Sequence, residues 1–204
     1  MTQQRKPSKS EVTRARVIEA AIDCIYAQGF NAAHTNRIAE QAGVSWGVLQ
    51  YHFGDKDGLL QAVLDSIFAD FSGTLADAQL QGDSLQQRVE QLIELVWSLV
   101  SKREYRVSLA ILRNAGKDES SSIDGEKQVA AWAGEISRLW DRLIAQDAVD
   151  AGQSDIARHL MFAALRGMAD EINPGGRTRR ALVRERQALS RAITHLLCET
   201  AVYT

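Results

Sequence analysis

Residues Thr35–Lys56 read TNRIAEQAGVSWGVLQYHFGDK. Ala39 is small enough for two short helices to cross closely. Gly43, four residues on, can take the positive φ of a tight interhelical turn. Val44 and Leu49 supply apolar contacts that hold the following helix against its predecessors. Thr35 is expected to cap a short helix reaching Gln41, and Ser45 to cap another over Trp46–His52. A small residue, a glycine and an apolar residue at this spacing predict a helix-turn-helix, whose second helix enters the major groove of DNA. Any tight corner between helices shares part of that pattern, so the side chains after the glycine carry the rest of the argument.

Ser45, Trp46, Gly47, Val48 and Gln50 form the N-terminal half of the second helix of the pair, the half that points at base edges. Gly47 lets backbone approach DNA closely, and Gln50 bears the amide that reads adenine through N6 and N7. Val48 can meet a thymine methyl, and Trp46 can pack on sugar or donate its indole N–H to a phosphate. Tyr51 and His52 can donate to phosphate oxygens. Lys56 brings charge to a helix start where backbone N–H groups also favour an anion. Thr35 completes the candidate DNA-binding set, and Phe53 is expected to plug the small core.

Outward from this segment, apolar residues recur at helical spacing. Ile18, Ala21, Ile22 and Ile25 predict a first helix from about Glu11 to Gln28, closed at Gly29. Leu60, Val63, Leu64, Ile67, Phe68 and Phe71 predict a long fourth helix, with Ser72–Asp83 as a weaker connection. Further stripes run from Leu85 to Val100, from Tyr105 to Leu112 and from Val129 to Ile144. Ile156, Leu160, Ala163, Ala164 and Gly167 trace the next, ended by Pro174-Gly175-Gly176, and Leu182 to Leu197 trace the last. Residues 116–126 form a polar loop with no apolar period. The sum is an all-α chain of nine helices: a three-helix helix-turn-helix head over residues 1–56 and a six-helix body over 57–204.

Composition narrows the function classes. The 204 residues hold only two prolines and carry a net charge of −2. Residues 1–56 nevertheless hold seven basic against five acidic residues. Five of those bases (Arg5, Lys6, Lys9, Arg14, Arg16) lie in the first sixteen positions, opposed by Glu11 alone. Such an arm fits either a phosphate-contacting surface or a solvated terminus. MTQQRKPSKS lacks the core of a signal peptide, and no apolar run approaches the ~18 residues of a membrane span. With Cys24 and Cys198 alone there is no disulfide framework. A soluble cytoplasmic protein is expected.

Enzyme signatures are missing: there is no GxSxG, HExxH or CxxC, and no glycine-rich phosphate loop. Asp55-x-Asp57-Gly58 starts like a calcium loop, but the position of the bidentate acid is Ser66. His195 and Glu199 share a helix face without a third metal ligand. No cofactor is expected.

The pattern Thr35-x2-Ile38-Ala39-x2-Ala42-Gly43-Val44-Ser45-x-Gly47-x-Leu49-x-Tyr51-His52-Phe53-x2-Lys56-x2-Leu59-Leu60 resembles the DNA-binding head of the TetR family of bacterial transcriptional regulators. The resemblance spans about residues 11–62 without a gap. It implies a homodimer, usually a repressor, that leaves its operator when a small molecule binds the body. Two positions depart from the family pattern. Trp46 stands where many members carry lysine or another small polar or basic residue, which shifts that contact from charge toward packing. Gln50 stands where tyrosine is usual, which favours a base-reading role.

In the body, Trp97, Tyr105, Trp132, Trp140 and Phe162 are candidate walls of an effector cavity, with His159 and Arg166 as its polar groups. The same aromatic spacing also suits a plain helical core, and Arg166 and Asp170 suit an i, i+4 ion pair. Ala157, Met161, Ala164, Leu165 and Met168, with Leu189, Ala192, Ile193, Leu196 and Leu197, fit either the chain's own core or a four-helix dimer interface. The family resemblance favours the dimer. Arg177, Arg179, Arg180, Arg184 and Arg186 are expected on a solvated surface. The expected function is a ligand-responsive dimeric repressor of double-stranded operator DNA, with an activator or a non-DNA helical binding module as alternatives.

Overall fold

A computed structural model describes residues 7–115, 121–172 and 182–199. Among these, nine α-helices occur and no strand: α1 Lys9–Gln28, α2 Thr35–Gln41, α3 Trp46–Phe53, α4 Lys56–Ala76, α5 Leu85–Val100, α6 Arg103–Ala115, α7 Gly125–Ile144, α8 Ala151–Asp170 and α9 Val183–Cys198. The all-α expectation holds. The chain divides into two compact units. The first falls within Met1–Asp70 and Arg103–Ala130, the second within Phe71–Lys102 and Ala131–Thr204.

In the first unit, α1 begins two residues earlier than its apolar period suggests. Ser8 and Glu11 form a capping box there: Ser8 N–H donates to Glu11 Oε2 at 2.6 Å, and Glu11 N–H donates to Ser8 Oγ at 3.2 Å. Val17, Ala20, Ala21, Cys24 and Ile25 are buried along one face, and the helix closes with the Gly29 N–H on the Ile25 carbonyl. After a single 3₁₀ turn at Phe30–Ala32, α2 starts at Thr35. Thr35 is therefore the first helical residue and not the cap; His34 holds the cap position without a side-chain bond. Gly43, at φ +63°, makes the turn into α3.

α6 packs on α1 in the same unit. Arg103 extends α6 ahead of its apolar stripe, because its guanidinium pairs with Glu19 and Asp23 of α1 and, at 3.0 Å, with Glu104. A polar ladder runs along α4. Asp57 accepts from the Ser122 N–H at 2.8 Å and the Ser121 hydroxyl at 3.1 Å. Gln61 accepts from the Asp124 N–H at 2.9 Å, and Asp65 from the Gln128 amide at 2.6 Å. α7 thus starts at Gly125, inside the expected polar loop, of which residues 116–120 lie outside the described residues.

α4 continues to Ala76, past the connection expected from Ser72, because Phe71 and Leu75 are buried and outweigh the weak helix formers around them. Contrary to the reading that no apolar stretch is long enough to span a membrane, α4 qualifies by length and composition, with a mean hydropathy of 1.2. Gln61, Asp65 and Asp70 interrupt the apolar residues of the helix, so its apolar character shows in the average over the stretch and not as an unbroken run. Half of that stretch is buried within the protein, as a core helix requires.

In the second unit, α5, α8 and α9 pack on one another. Serine and glutamine cap α5 reciprocally at Ser84 and Gln87, and Asp150 caps α8. Val89, Leu92, Ile93 and Val96 meet a core that includes Ala157, Met161, Leu165, Ile193 and Leu197, all buried. Those last five were candidates for a dimer stripe; they fill the chain's own core. The outward face of α8 instead carries Ile156 and Leu160, 53% and 47% exposed, with Ala163 and Gly167 on the same stripe. α8 ends at Asp170, ahead of Pro174-Gly175-Gly176, which lie outside the described residues, as do Arg177, Arg179 and Arg180.

Two arginines are buried in this unit. Arg88 donates Nε to the Leu143 carbonyl at 3.2 Å and Nη1 to the Gly82 carbonyl at 3.1 Å, and pairs with Asp147. Arg186, expected on the surface, grips Glu94 through Nε at 2.7 Å and Nη2 at 3.1 Å. Arg184 is exposed, as expected. A charged group is tolerated inside because its donors are matched.

Candidate nucleic-acid interface

Two turns of helix are too short to be stable alone, so α3 is defined by what holds it. Ser45 Oγ accepts the Val48 N–H at 3.4 Å at one end. The Gly54 N–H closes on the Gln50 carbonyl at 2.8 Å at the other. Leu49 and Phe53 are buried, one turn apart, and the Val44 N–H bonds to the Ala39 carbonyl at 3.0 Å across the corner. With 49 and 53 facing in, Trp46, Gly47, Val48, Gln50 and Tyr51 face out. Tyr51 is 84% exposed and Trp46 44%, a large aromatic surface to leave in water.

Gly47 has no neighbour closer than 3.9 Å to a would-be Cβ, so nothing in the chain itself demands glycine there. Gly58 is the opposite case. A Cβ on it would lie 2.0 Å from the Phe53 carbonyl oxygen, and its N–H donates to Asp55 Oδ1 at 2.8 Å. The acid of the calcium-like sequence is thus the N-cap of α4, and the missing side chain lets α4 abut the end of α3.

The remaining candidates are placed less freely. His52 is half-buried, with its ring edge-to-face on Tyr51 at 5.2 Å. Its carbonyl accepts from Arg14 Nη1 at 3.1 Å, a contact between residues 38 apart that no local pattern announces. Lys56 Nζ sits over the Phe30 ring at 4.9 Å. Thr35 is half-buried at the start of α2. Lys9 and Arg16 of the basic arm are exposed; Arg5 and Lys6 lie outside the described residues.

The seven effector candidates divide between the two units. Tyr105 belongs to the first unit and the other six to the second. Trp140 is core, its indole N–H satisfied by Ser154 Oγ at 2.8 Å. Trp97 is buried beneath the Arg186 guanidinium. Trp132 is half-buried against Phe71, with ring centres 6.1 Å apart. Phe162 is half-buried, while His159 and Arg166 are exposed, Arg166 Nε donating to the Phe162 carbonyl at 3.3 Å. His195 Nε2 and Glu199 Oε1 lie 3.0 Å apart on an exposed face. A cavity of about 370 Å³ in the first unit is lined from α1, α4 and α6 by Arg14, Ala15, Ile18, Ile67 and Glu104 among others, and by none of these seven.

Known proteins agree with this geometry. Residues 17–63 match the family model described as bacterial regulatory proteins, tetR family. The HTH-type transcriptional regulator BetI of Vibrio campbellii is 31% identical over 91 residues, 44% of this chain and 46% of that protein. SrpR of Pseudomonas putida, also named an HTH-type transcriptional regulator, is 44% identical over 59 residues, 29% of this chain and 28% of that protein. The match thus spans under half the length of these curated relatives. Across the whole fold, Salmonella enterica GusR superposes with a TM-score of 0.73 at 19% identity, covering 95% of this chain and 99% of that one. Residues 17–63 thus match the head of the TetR family of bacterial regulatory proteins, and the chain shares the fold of GusR.

Proposed function

We propose that this chain is a cytoplasmic, dimeric, ligand-responsive transcriptional regulator, acting as a repressor that a small-molecule effector releases from a near-palindromic operator. One observation carries the DNA-binding part: α3 is anchored through Leu49 and Phe53 and turns Trp46, Gly47, Val48, Gln50 and Tyr51 outward. Gly47 supports it further, since its bare backbone serves no packing need within the chain. Ser45, Thr35, His52 and Lys56 flank this surface. Residues 1–56 would read DNA, and 57–204 would bind effector and dimerise.

The dimer is assigned to the outward faces of α8 and α9. Ile156, Leu160, Ala163 and Gly167 make a continuous stripe, apolar at one end and small at the other, which suits close helix approach in a two-fold bundle. Half-sites about one helical turn apart, or a multiple, would follow. Within the second unit Trp132 and Phe162, half-buried, with exposed His159 and Arg166, are the effector candidates that the core has not consumed.

The test is to incubate the purified protein with fragmented DNA of its own genome at near-physiological salt and sequence what it retains. A single enriched inverted repeat is expected; uniform retention at every salt concentration rejects specific recognition. Sedimentation of Leu160→Glu should give a monomer where the unaltered protein gives a dimer, and an unchanged dimer would remove the α8 stripe from the interface.

A further inference from the structure

We infer that Arg14 is a positioning residue for DNA recognition: it clamps the last turn of α3 from α1 and thereby fixes the angle at which the reading face is presented. This rests on the DNA-binding function proposed above. The last carbonyls of a helix have no partner inside it. In α3, Gln50 gives its carbonyl to Gly54 and Phe53 gives its carbonyl to Asp55. The His52 carbonyl is taken instead by a side chain from another helix, Arg14 Nη1 at 3.1 Å. The same guanidinium lies over the next ring along, with Cζ 4.6 Å from the centre of Phe53.

One planar cation therefore holds two consecutive residues by two different interactions, an N–H hydrogen bond to the His52 carbonyl and a cation–π contact with the Phe53 ring. It also places positive charge at the helix end where the macrodipole favours it. Lysine offers the charge without the plane.

The leverage comes from the shortness of α3. Eight residues at 1.5 Å rise span about 12 Å, so a tilt of roughly 10° about Ser45 carries the far end by about 2 Å and Gln50 by about 1.3 Å. Base contacts tolerate about 0.5 Å. Tyr51, the most exposed large apolar or aromatic residue among the described residues, immediately precedes the clamped pair. An arginine in a basic N-terminal arm would ordinarily be assigned to phosphate. Here, although Arg14 is exposed, one of its donors is bonded to the His52 carbonyl and its Cζ sits over Phe53.

Arg14→Ala and Arg14→Lys are tested in the full chain, with Arg14→Lys as the variant that keeps charge and fold. Hydrogen exchange over residues 46–54 is read without DNA, and binding is titrated on the retained genomic repeat and on a scrambled duplex at several salt concentrations. Arg14→Ala should speed exchange at the C-terminal turn of α3. It should weaken the repeat about tenfold, the worth of one charge-assisted hydrogen bond, while leaving the scrambled duplex and its salt slope unchanged. Arg14→Lys should fall between.

Exchange identical to the unaltered protein overturns the clamp whatever happens on DNA. Equal weakening on both duplexes, with the salt slope smaller by about 1, overturns it in favour of a phosphate contact. Failure of the unaltered protein to retain any repeat rejects DNA recognition, and the clamp's role in it, while the exchange arm still judges the clamp itself.

Discussion

The guanidinium carbon of Arg186 stands 4.8 Å from the centre of the Trp97 ring, inside the second unit and not in solvent. Trp97 is thereby spoken for: one face of its indole is covered by a cation that Glu94 holds through two nitrogens. Arg186→Ala removes the stacking, the paired hydrogen bonds and the packed stem together. We expect a loss of about 2–3 kcal/mol in urea unfolding, with a change in tryptophan emission. Glu94→Gln, which keeps one acceptor on a half-exposed side chain, should cost less.

Gly43 and Gly58 should respond to alanine for different reasons. At Gly43 a Cβ meets nothing, and only the left-handed backbone is strained, so Gly43→Ala should cost about 1–2 kcal/mol and Gly43→Asn less. At Gly58 the Cβ would strike the Phe53 carbonyl oxygen. There the gain in helix propensity of about 1 kcal/mol should be overwhelmed, with lower thermal stability and loss of binding to the retained repeat.

Gln50→Ala should relax preference at one base pair by about 1–3 kcal/mol, the worth of a bidentate contact. Binding to a panel of single-substituted operators measures it. Equal weakening on every member of the panel would remove Gln50 from base reading.

The two thiols should differ in reactivity. Cys24 is buried on α1, and burial raises its pKa, which disfavours the reactive thiolate. Cys198 is exposed. Titration with a thiol-specific disulfide reagent should show one fast equivalent in the native protein and a second only on unfolding. Cys198→Ser should abolish the fast one.

The capping box at the start of α1 should be sensitive to acid. Hydrogen bonds from the Ser8 backbone and side chain hold the Glu11 pKa below its ordinary value. A carboxylate with a lowered folded pKa contributes its stabilisation above its unfolded pKa and loses it as pH falls through the folded one. Proton titration of the Glu11 side chain by NMR should show a low midpoint that Ser8→Ala moves up.

Much of the fold was legible because helices advertise themselves by period. The stripes on α1, α4, α5 and α7 located those elements, and Ser45 was read correctly as a cap. What period could not reveal was which of two apolar stripes on one helix faces inward. On α8, Ile156 and Leu160 alternate with Ala157 and Met161, and both sets satisfy helical spacing; only the tertiary partners α5 and α9 decide between them. Likewise Arg186 has the composition of a surface residue and becomes interior only through Glu94, 92 positions away. In the candidate interface, the outward residues of α3 followed from local spacing. The link between Arg14 and His52 did not, because it joins residues 38 apart.

The ladder from Asp57, Gln61 and Asp65 to residues 121–128 bears on how such regulators could be recombined. The part of this chain carrying α3 is not a contiguous cassette. Its α4 ladder is completed by residues 121–124 and by Gln128 of α7, and its α1 by Arg103 on α6. A head exchanged at a single cut after Lys56 would leave Glu19 and Asp23 without Arg103, and a cut after α4 would leave Asp57, Gln61 and Asp65 without their donors. A graft meant to transplant the α3 surface onto another chain of this fold should carry two inserts together, residues 1–70 and 103–130.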